Sequence, residues 1–312
     1  MQKRIHLLAA VSLSLLPIGC STTTEVSTRQ STLIAPLNTL YQYNVVNSSN
    51  KSVVTVATLA KELKHTAVVF IGELHSHSGS HKLQLDLLEA LYNQNPNIIL
   101  SMEQFTRDAQ PIVDGYLSGK YGENTLIDDG NAWDHYKGSY RPLVVFAKEH
   151  NIPIIAANAP AMFVRCIGKR GAEFLDTIPE EKKSWSAQKL DMENESYKEK
   201  FMSFLKTSGS RHGQTKEEAE KRALKTYAAQ LLRDTTMAES IDEARKRHPK
   251  HQVIHLNGSF HSDSHLGTVA VLETMNADLV TSVISPVMVT NAQNPAADVD
   301  QYKVDPLVET II

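Results

Sequence analysis

The stretch VVFIGELHSHSGSH, residues 68–81, places one acid and three histidines directly after an apolar run of strand length. In extended backbone alternate side chains point the same way, so Glu73, His75 and His77 can share one face. Carboxylate and imidazole groups suit either ligation of a borderline metal ion or proton transfer by an oriented base. His77 and His81 are weaker candidates, because a solvated turn also explains them. The segment is therefore predicted to form one wall of a site.

These side chains need a scaffold, and the rest of the chain indicates which one. Short apolar runs alternate with helical patterns, which is typical of a parallel sheet with helices on both faces. We therefore expect an α/β fold with a mainly parallel, doubly wound sheet flanked by helices, and a helical insertion or lid at 179–215. The predicted strands lie at 66–72, 97–103, 152–160, 251–258 and 278–285, after two short strands within 40–55, and the predicted helices lie at 56–65, 81–94, 141–150 and 215–248.

Polar or titratable residues follow four of the predicted strands. Ligands of such sheets bind beyond the carboxyl ends of the strands, so we expect these side chains to converge. No strong motif such as H-E-x-x-H or G-x-S-x-G accompanies them, and a hydrogen-bonded polar layer that orients the loops is the alternative. Asn158 ends the third strand, and the predicted catalytic or metal-binding residues at the other strand ends are Glu73, His75, Glu103 and His261.

The longest predicted helix carries a charged pair near its middle. Thr215 and Glu218 form a capping box at its start, and Pro249 stops it. Arg233 and Asp234 are predicted to form a buried pair that ties the helix to the edge of the sheet, or else to contact a ligand.

A second group of residues with chemical potential is WDHYKGSYRPL, residues 133–143, which holds three aromatics in a chain with only 6% aromatics. Such a loop can stack on a flat apolar ligand while its cations meet the ligand's carboxylates. A tyrosine oxygen can also ligate haem iron. The alternative is a small satellite core that packs the loop onto the sheet. The candidate ligand-binding residues are Trp133, Tyr136, Lys137, Tyr140 and Arg141.

The first residues form a separate segment. Lys3 and Arg4 precede an apolar run that ends in LPIGC and is too short to span a bilayer. We expect 1–19 to be a lipoprotein signal peptide and Cys20 to be acylated after cleavage, with an ordinary cleaved signal peptide as the alternative. Because Ser21 rather than an aspartate follows the cysteine, we expect the outer membrane of a Gram-negative envelope as the location.

The composition of the whole chain limits the class of protein. Its 312 residues are 41% hydrophobic and 21% charged, which is ordinary for a folded protein with a sizeable core. A formal net charge of −3 without a basic stripe argues against a nucleic-acid partner. We expect a polar tether at 20–37, one α/β domain at 38–285 and an extended tail at 286–312. If Cys20 carries lipid, Cys166 has no partner within the chain, and stability must come from the core.

Six segments carry a resemblance to a known family: VVFIGELH, SHKLQLDLLEAL, ILSMEQFTRDAQPIVDGYLSG, YRPLVVFAKEHNIPIIAANAP, AAQLLRDTTMA and NGSFHSDSHLGT. Together they resemble the ChaN-like family of haem-binding lipoproteins, within the Tiki and erythromycin-esterase-like superfamily. The resemblance runs in family order from about residue 38 to residue 275. It departs from the usual family pattern at Ser76 and His77, and where NGSFH stands for a glycine-rich GNGH.

The resemblance implies haem binding that is linked to dimerisation, with a tyrosine as the iron ligand. Tyr140, in the YRP segment, is the first choice for this ligand, and Tyr136 is the second. The resemblance also implies catalytic or metal-binding roles for the four strand-end residues. Two functions therefore stand side by side: a membrane-tethered haem carrier that works with a haem-uptake partner, and a hydrolase that uses a divalent metal ion.

Overall fold

The computed structural model describes residues 34–207, 215–301 and 310–311. All of the described strands belong to one sheet. The expected strands are present, and a further short strand near the end of the chain joins them. The strands are β1 (Val45–Asn47), β2 (Val53–Val54), β3 (Val68–Glu73), β4 (Ile98–Thr106), β5 (Ile154–Asn158), β6 (Gln252–Gly258), β7 (Thr281–Ser285) and β8 (Thr310–Ile311).

Five parallel strands form the centre of this sheet, in the order β7-β3-β6-β4-β5. β8 adds to β7 in the parallel sense, and β1 and β2 continue the edge in the antiparallel sense. The chain reaches neighbouring parallel strands by crossovers that place helices on the two faces. The predicted α/β fold with a mainly parallel sheet is therefore confirmed.

Helices cover both faces of the sheet. Besides those expected from the sequence, helices form between β4 and β5, after β5 and between β6 and β7. A turn of π-helix, Tyr136–Tyr140, leads into the helix before β5. The helices are α1 (Val56–Glu62), α2 (Ser78–Gln94), α3 (Gln110–Leu117), α4 (Glu123–Asp128), α5 (Arg141–Glu149), α6 (Ala161–Arg170), α7 (Glu195–Thr207), α8 (Lys216–Arg247), α9 (Thr268–Met275) and α10 (Ala296–Gln301).

Alternation along β3 explains the two hydrophobic layers. Val69 and Ile71 pack in the layer that includes α1, α2 and α5. Val68 and Phe70 pack in the opposite layer, against α8 and α9. Every residue of β3 is buried, because both faces of a parallel sheet are covered. The same alternation places Glu73, two residues after Ile71, on the α2 side of the sheet.

Helix α8 begins and ends where the sequence indicates. The Thr215 side chain accepts a hydrogen bond from the backbone N–H of Glu218, and the Glu218 side chain accepts one from the backbone N–H of Thr215. Helix α7 and the turn Glu180–Trp185 lie within the predicted insertion. In the described ranges no helix is both long and apolar enough to cross a membrane.

The end of the chain differs from the expected extended tail. Helix α10 follows β7, and β8 then pairs with both β7 and β1. β8 has two residues, which is too short for a periodic pattern to predict it. The tail is therefore partly built into the sheet.

Candidate functional site

Glu73, the last residue of β3, is buried and accepts several hydrogen bonds. Its Oε1 accepts from Nδ1 of His75 at 2.9 Å and from the hydroxyl of Tyr140 at 2.5 Å. Its Oε2 accepts from Nε2 of Gln84 at 3.0 Å. Burial alone would raise the pKa of Glu73, but the hydrogen bonds from His75 and Tyr140 outweigh it and hold the pKa below its usual value. Glu73 is therefore an ionised carboxylate inside the protein.

His81 is part of this buried cluster. The interpretation of His81 as a solvated turn residue, which the sequence suggested, is therefore wrong. It lies in the first turn of α2 and is 7% exposed. Its Nδ1 lies 3.1 Å from Oε1 of Gln84 and 3.6 Å from Oε2 of Glu73. Its ring meets Tyr140 edge to face, with the centroids 5.0 Å apart. Because His81 and Gln84 are three residues apart on a helix, both lie on the face of α2 that is directed toward β3.

A second acidic cluster lies near the carboxyl ends of β4 and β6. Oε2 of Glu103 accepts a hydrogen bond of 2.7 Å from the backbone N–H of Gly258. Oε1 of Glu103 lies 3.5 Å from Nε2 of His261. Nδ1 of His261 in turn donates to Oδ1 of Asp234 on α8, at 2.7 Å. His261 is thus held between two buried carboxylates.

The two clusters meet at Gly258. A methyl group built on Gly258 would lie 2.9 Å from Cε1 of His75 and 3.0 Å from its Nε2. The missing side chain therefore lets the His75 ring reach the strand end that carries Glu103. The structure brings together Glu73, His75, Glu103 and His261, while Asn158 donates to the backbone carbonyl of Glu103 at 3.1 Å.

Neighbouring carboxylates raise the pKa of both histidines. The hydrogen bond to Glu73 raises the pKa of His75, with a further contribution from Glu103. Burial would lower the pKa of His261, but Glu103 and Asp234 outweigh it and raise the pKa. The His75 side chain is 57% exposed, whereas the Glu73 side chain is fully buried. The arrangement is an accessible imidazole that a buried carboxylate orients.

The same residues do not form a metal-binding geometry. Across the described ranges, no group of three or more His, Cys, Asp and Glu side chains is arranged to hold a metal ion. Glu73 uses its oxygens for hydrogen bonds within the protein, and Glu103 uses one for the backbone of Gly258. These carboxylate and imidazole groups suit proton transfer better than the coordination of a metal ion.

Helix α7, from the predicted insertion, supports His261 through two connections. The Tyr197 hydroxyl donates to Oδ2 of Asp234 at 2.8 Å, on the carboxylate that also binds His261. Nζ of Lys200 donates to the backbone carbonyls of Phe260 and Asp263, at 3.2 Å and 3.1 Å. Burial lowers the pKa of Lys200, although Asp263 opposes this. Helix α7 thus binds the carboxylate that contacts His261, and it also binds the backbone before and after His261 in the sequence.

The expected pair of Arg233 and Asp234 is not formed. Asp234 is completely buried and binds His261, Tyr197 and the hydroxyl of Thr268. Among the described residues no ion pair joins it to Arg233. Adjacent residues on a helix point in directions about 100° apart, so the arginine stays on another face. Asp234 therefore belongs to the site cluster.

The aromatic segment 133–143 packs mainly against the protein. Tyr136 and Tyr140 are 2% and 1% exposed and belong to the core layer that includes α2 and α5. Trp133 is partly buried, and its ring meets both Tyr140 and His75 edge to face. Burial, followed by the charge of Glu73, raises the pKa of Tyr140. The two tyrosines thus pack in this core layer, and Trp133 lies beside the strand-end cluster.

The cations of this segment lie at the surface. Lys137 is exposed. Arg141 is half-exposed, and its Nε donates to Oε1 of Glu123 at 2.6 Å. Cys20 lies outside the described residues. Cys166, on α6, is a partly buried free thiol.

The chain matches a known family over most of its length. Residues 59–272 match the family described as haem-binding uptake, Tiki superfamily, ChaN. Among solved structures, ChaN of Campylobacter jejuni, described as binding haem cofacially, is 16% identical with a TM-score of 0.64, over 86% of this chain and 95% of that chain. An erythromycin esterase mutant in its open conformation is 11% identical with a TM-score of 0.46, over 78% of this chain and 77% of that chain. No curated protein matches the chain.

Proposed function

Because the chain belongs to the haem-binding uptake family of the Tiki superfamily, we propose that it is a membrane-anchored haem-binding lipoprotein of the cell envelope. In this role it binds haem through a tyrosine at a dimer interface and serves haem or iron acquisition together with an uptake partner. The match over residues 59–272 is the observation that carries the proposal. The fold shared with ChaN of Campylobacter jejuni supports it.

The aromatic segment contributes to the haem site only under one condition. Haem supplies a flat apolar plate with a ferric iron and two carboxylates. Trp133 is partly exposed and can stack on the plate, and Lys137 is exposed and can bind a carboxylate. Arg141 can bind a carboxylate if its ion pair with Glu123 breaks. The hydroxyls of Tyr136 and Tyr140 are buried, so either one ligates iron only after the turn Tyr136–Tyr140 opens. A π-helical turn is a local irregularity of the kind that is frequent at functional sites.

The anchor rests on the amino-terminal sequence. Lipid on Cys20, with a polar tether at 20–37, holds the domain at a membrane, and Ser21 favours the outer membrane of a Gram-negative cell. Replacing Cys20 by Ser should release the protein from the membrane fraction. Processing that is insensitive to globomycin, with a membrane-bound Cys20→Ser protein, would overturn the anchor without affecting haem binding.

Size-exclusion chromatography with hemin tests binding and dimerisation together. The purified protein should elute with haem absorbance, and at an apparent mass that doubles when hemin is added. The control is an unrelated lipoprotein of similar size carried through the same hemin treatment. Haem absorbance that elutes only as free or aggregated hemin would overturn the proposal, whereas haem that elutes with a monomer would remove only the dimer.

The strand-end cluster favours a second candidate function, ester hydrolysis without a metal ion. The observation is the accessible His75 ring, which is oriented by the buried carboxylate of Glu73 beside Glu103 and His261. A histidine held in this way can remove a proton from a water molecule that attacks a carbonyl carbon. Activity on small aryl esters that disappears in His75→Gln but persists in the exposed control His135→Gln would support it. Equal rates for both variants would exclude it.

A further inference from the structure

An uncharged surface surrounds the point where the chain enters the described fold. Residues 34–50 and 286–297 contain no Asp, Glu, Lys, Arg or His, in a chain that is 21% charged. Most residues of 35–42 and 288–294 are nevertheless exposed. Charged side chains are usually abundant on exposed segments, and a surface that lacks them can lose water without desolvating a charge. We call the two segments 34–50 and 286–297 the uncharged face.

The two segments of the uncharged face enclose an apolar groove together with the start of α2. The groove has a volume of about 340 Å³, and none of the described residues that line it is Asp, Glu, Lys or Arg. The backbone N–H of Leu37 donates to the carbonyl of Ala292 at 2.7 Å, which joins the two segments. The Tyr43 hydroxyl donates to Oδ2 of Asp86 on α2 at 2.5 Å. The uncharged face is therefore held in one arrangement.

Three large side chains project from this face. Leu40 is 75% exposed, Tyr41 is 65% exposed and Met288 is 58% exposed. Leu40 and Met288 line the groove, and Tyr41 stands in a turn in which the N–H of Gln42 donates to the carbonyl of Thr39 at 3.2 Å. A tyrosine beside aliphatic side chains suits the boundary between lipid and water, because its ring is apolar and its hydroxyl can stay hydrated.

His77, from the start of α2, lines the groove without adding a charge to it. Burial, and then the neighbouring His81, lowers the pKa of His77, so its ring is neutral near pH 7. Its Nδ1 accepts the backbone N–H of Ser80 at 3.2 Å. The groove and the face around it are therefore uncharged together at neutral pH.

The proposed lipid anchor indicates what covers this face. Lipid on Cys20 would hold the chain at a membrane, and Ile34, the first described residue, lines the groove. Residues 20–33 span at most about 50 Å when fully extended, so the anchor keeps the face within reach of the bilayer. A short flexible tether gives an effective concentration of about millimolar, at which even a weak contact is well populated.

We propose that the uncharged face is a membrane-contact surface, which places Leu40, Tyr41 and Met288 in the interfacial region of a lipid bilayer. The inference rests on the proposed membrane anchor and does not depend on haem binding. Leu74 lines the groove, and the next residue, His75, belongs to the strand-end cluster. The strand-end cluster then lies at the membrane-facing end of the sheet, where amphipathic ligands collect.

The two ends of β7 supply a matched pair of positions for a test. Val280 precedes this strand and Met288 follows it, and both are 58% exposed. A strand of five residues is about 17 Å long, so the two side chains lie toward opposite ends of the sheet. Of the two, only Met288 belongs to the uncharged face and lines the groove.

Quenching of a fluorescent label by spin-labelled lipid tests the proposal. The mature chain, with Cys20→Ser and Cys166→Ser, is attached through an amino-terminal polyhistidine tag to phosphatidylcholine vesicles that contain a nickel-chelating lipid. Met288→Cys and Val280→Cys are labelled in turn, and the fluorescence is compared with and without spin-labelled lipid. We expect the label at 288 to be quenched at least about threefold more than the label at 280, because only residues in the interface meet the spin label.

A charge on the face tests the same contact without moving the label. Leu40→Asp should reduce the quenching of the label at 288 about threefold or more, because a carboxylate is costly to bring against lipid. Leu224→Asp is the matched control, since Leu224 lies on α8, is 44% exposed and is not part of the uncharged face. It should leave the quenching unchanged.

The outcomes separate this proposal from the anchor on which it rests. Equal quenching of the labels at 280 and 288 would overturn the membrane-contact surface and leave both the anchor and haem binding in place. If the label at 288 is shielded without vesicles, in a dimer that Leu40→Asp dissociates, a second chain covers the face and the proposal fails. A native mature chain whose mass shows no lipid on Cys20 would end the anchor and this proposal together, and haem binding would stand.

Discussion

The Tyr140 hydroxyl and the His75 ring share one acceptor, Oε1 of Glu73, at 2.5 Å and 2.9 Å. The aromatic segment and the strand-end residues, which are far apart in sequence, are therefore one connected cluster. Any movement that frees Tyr140 for a ligand removes a donor from Glu73 and changes the surroundings of His75. If Tyr140 binds iron, haem binding and proton transfer by His75 are coupled through this carboxylate.

Tyr140→Phe should destabilise the fold. The change removes one hydroxyl whose hydrogen bond satisfies a buried carboxylate, and such charge-assisted bonds contribute about 1.5–3 kcal/mol. Urea unfolding should show a loss in that range. Tyr121→Phe, at a partly exposed position, should stay within about 0.5 kcal/mol of the wild type. Equal stability of the two variants would mean that Tyr140 does not hold Glu73 in solution.

Glu73→Gln should lower the pKa of His75. The hydrogen bond to Glu73 is the largest cause of the raised value, and a neutral amide cannot stabilise the imidazolium in the same way. Proton NMR of the His75 ring over a pH series measures the shift. Glu62→Gln, on the first helix and outside the cluster, is the control and should leave the titration in place. An unchanged His75 titration in Glu73→Gln would refute the pairing.

Asp234→Asn should cost about 3 kcal/mol of stability, because it leaves His261 beside Glu103 without its second carboxylate in a fully buried position. It should also lower the pKa of His261, since Asp234 follows Glu103 among the groups that raise it. Urea unfolding and NMR titration measure the two effects. Glu220→Gln, on an exposed position of the same helix, should change neither. A stable Asp234→Asn protein with an unshifted His261 would contradict the proposed link.

His255 should make the fold sensitive to acid. It is completely buried in β6, and burial lowers its pKa to about 3. The unfolded chain binds a proton at this histidine near pH 6.5, whereas the folded chain does not bind it until near pH 3. Stability is therefore present above pH 6.5 and is lost as the pH falls below it, by about 2 kcal/mol at pH 5.

Comparison with His255→Gln isolates this contribution. The wild type should lose about 2 kcal/mol more than the variant between pH 7 and pH 5 in urea unfolding. The comparison is needed because His261, with its raised pKa, changes stability in the opposite direction over the same range. A His255 ring that titrates near pH 6.5 in the folded protein by NMR would overturn the prediction.

Sequence patterns were sufficient for the sheet and for the gathering of the strand-end residues. Apolar runs fix the strands, and parallel strands place their carboxyl ends at one edge, so Glu73, Glu103 and His261 could be expected to approach each other. The contribution of Asp234 had a partial signal, because an acid stands on the apolar face of a long helix. His81 had a similar signal in its three-residue spacing from Gln84.

Other parts of the site could not be predicted from a single sequence. Tyr197 and Lys200 lie in a polar, irregular segment, and only tertiary packing brings that segment over His261. The burial of Tyr136 and Tyr140 depends on a π-helical turn, for which hydrophobic periodicity gives no pattern.

Titration of the wild-type protein with hemin, followed in the Soret region, tests haem binding most directly. The account predicts a shifted Soret band that saturates at a fixed ratio of hemin to chain, with the charge-transfer absorption of a ferric tyrosinate. An absorbance that rises linearly with added hemin, with the spectrum of free hemin throughout, would contradict it.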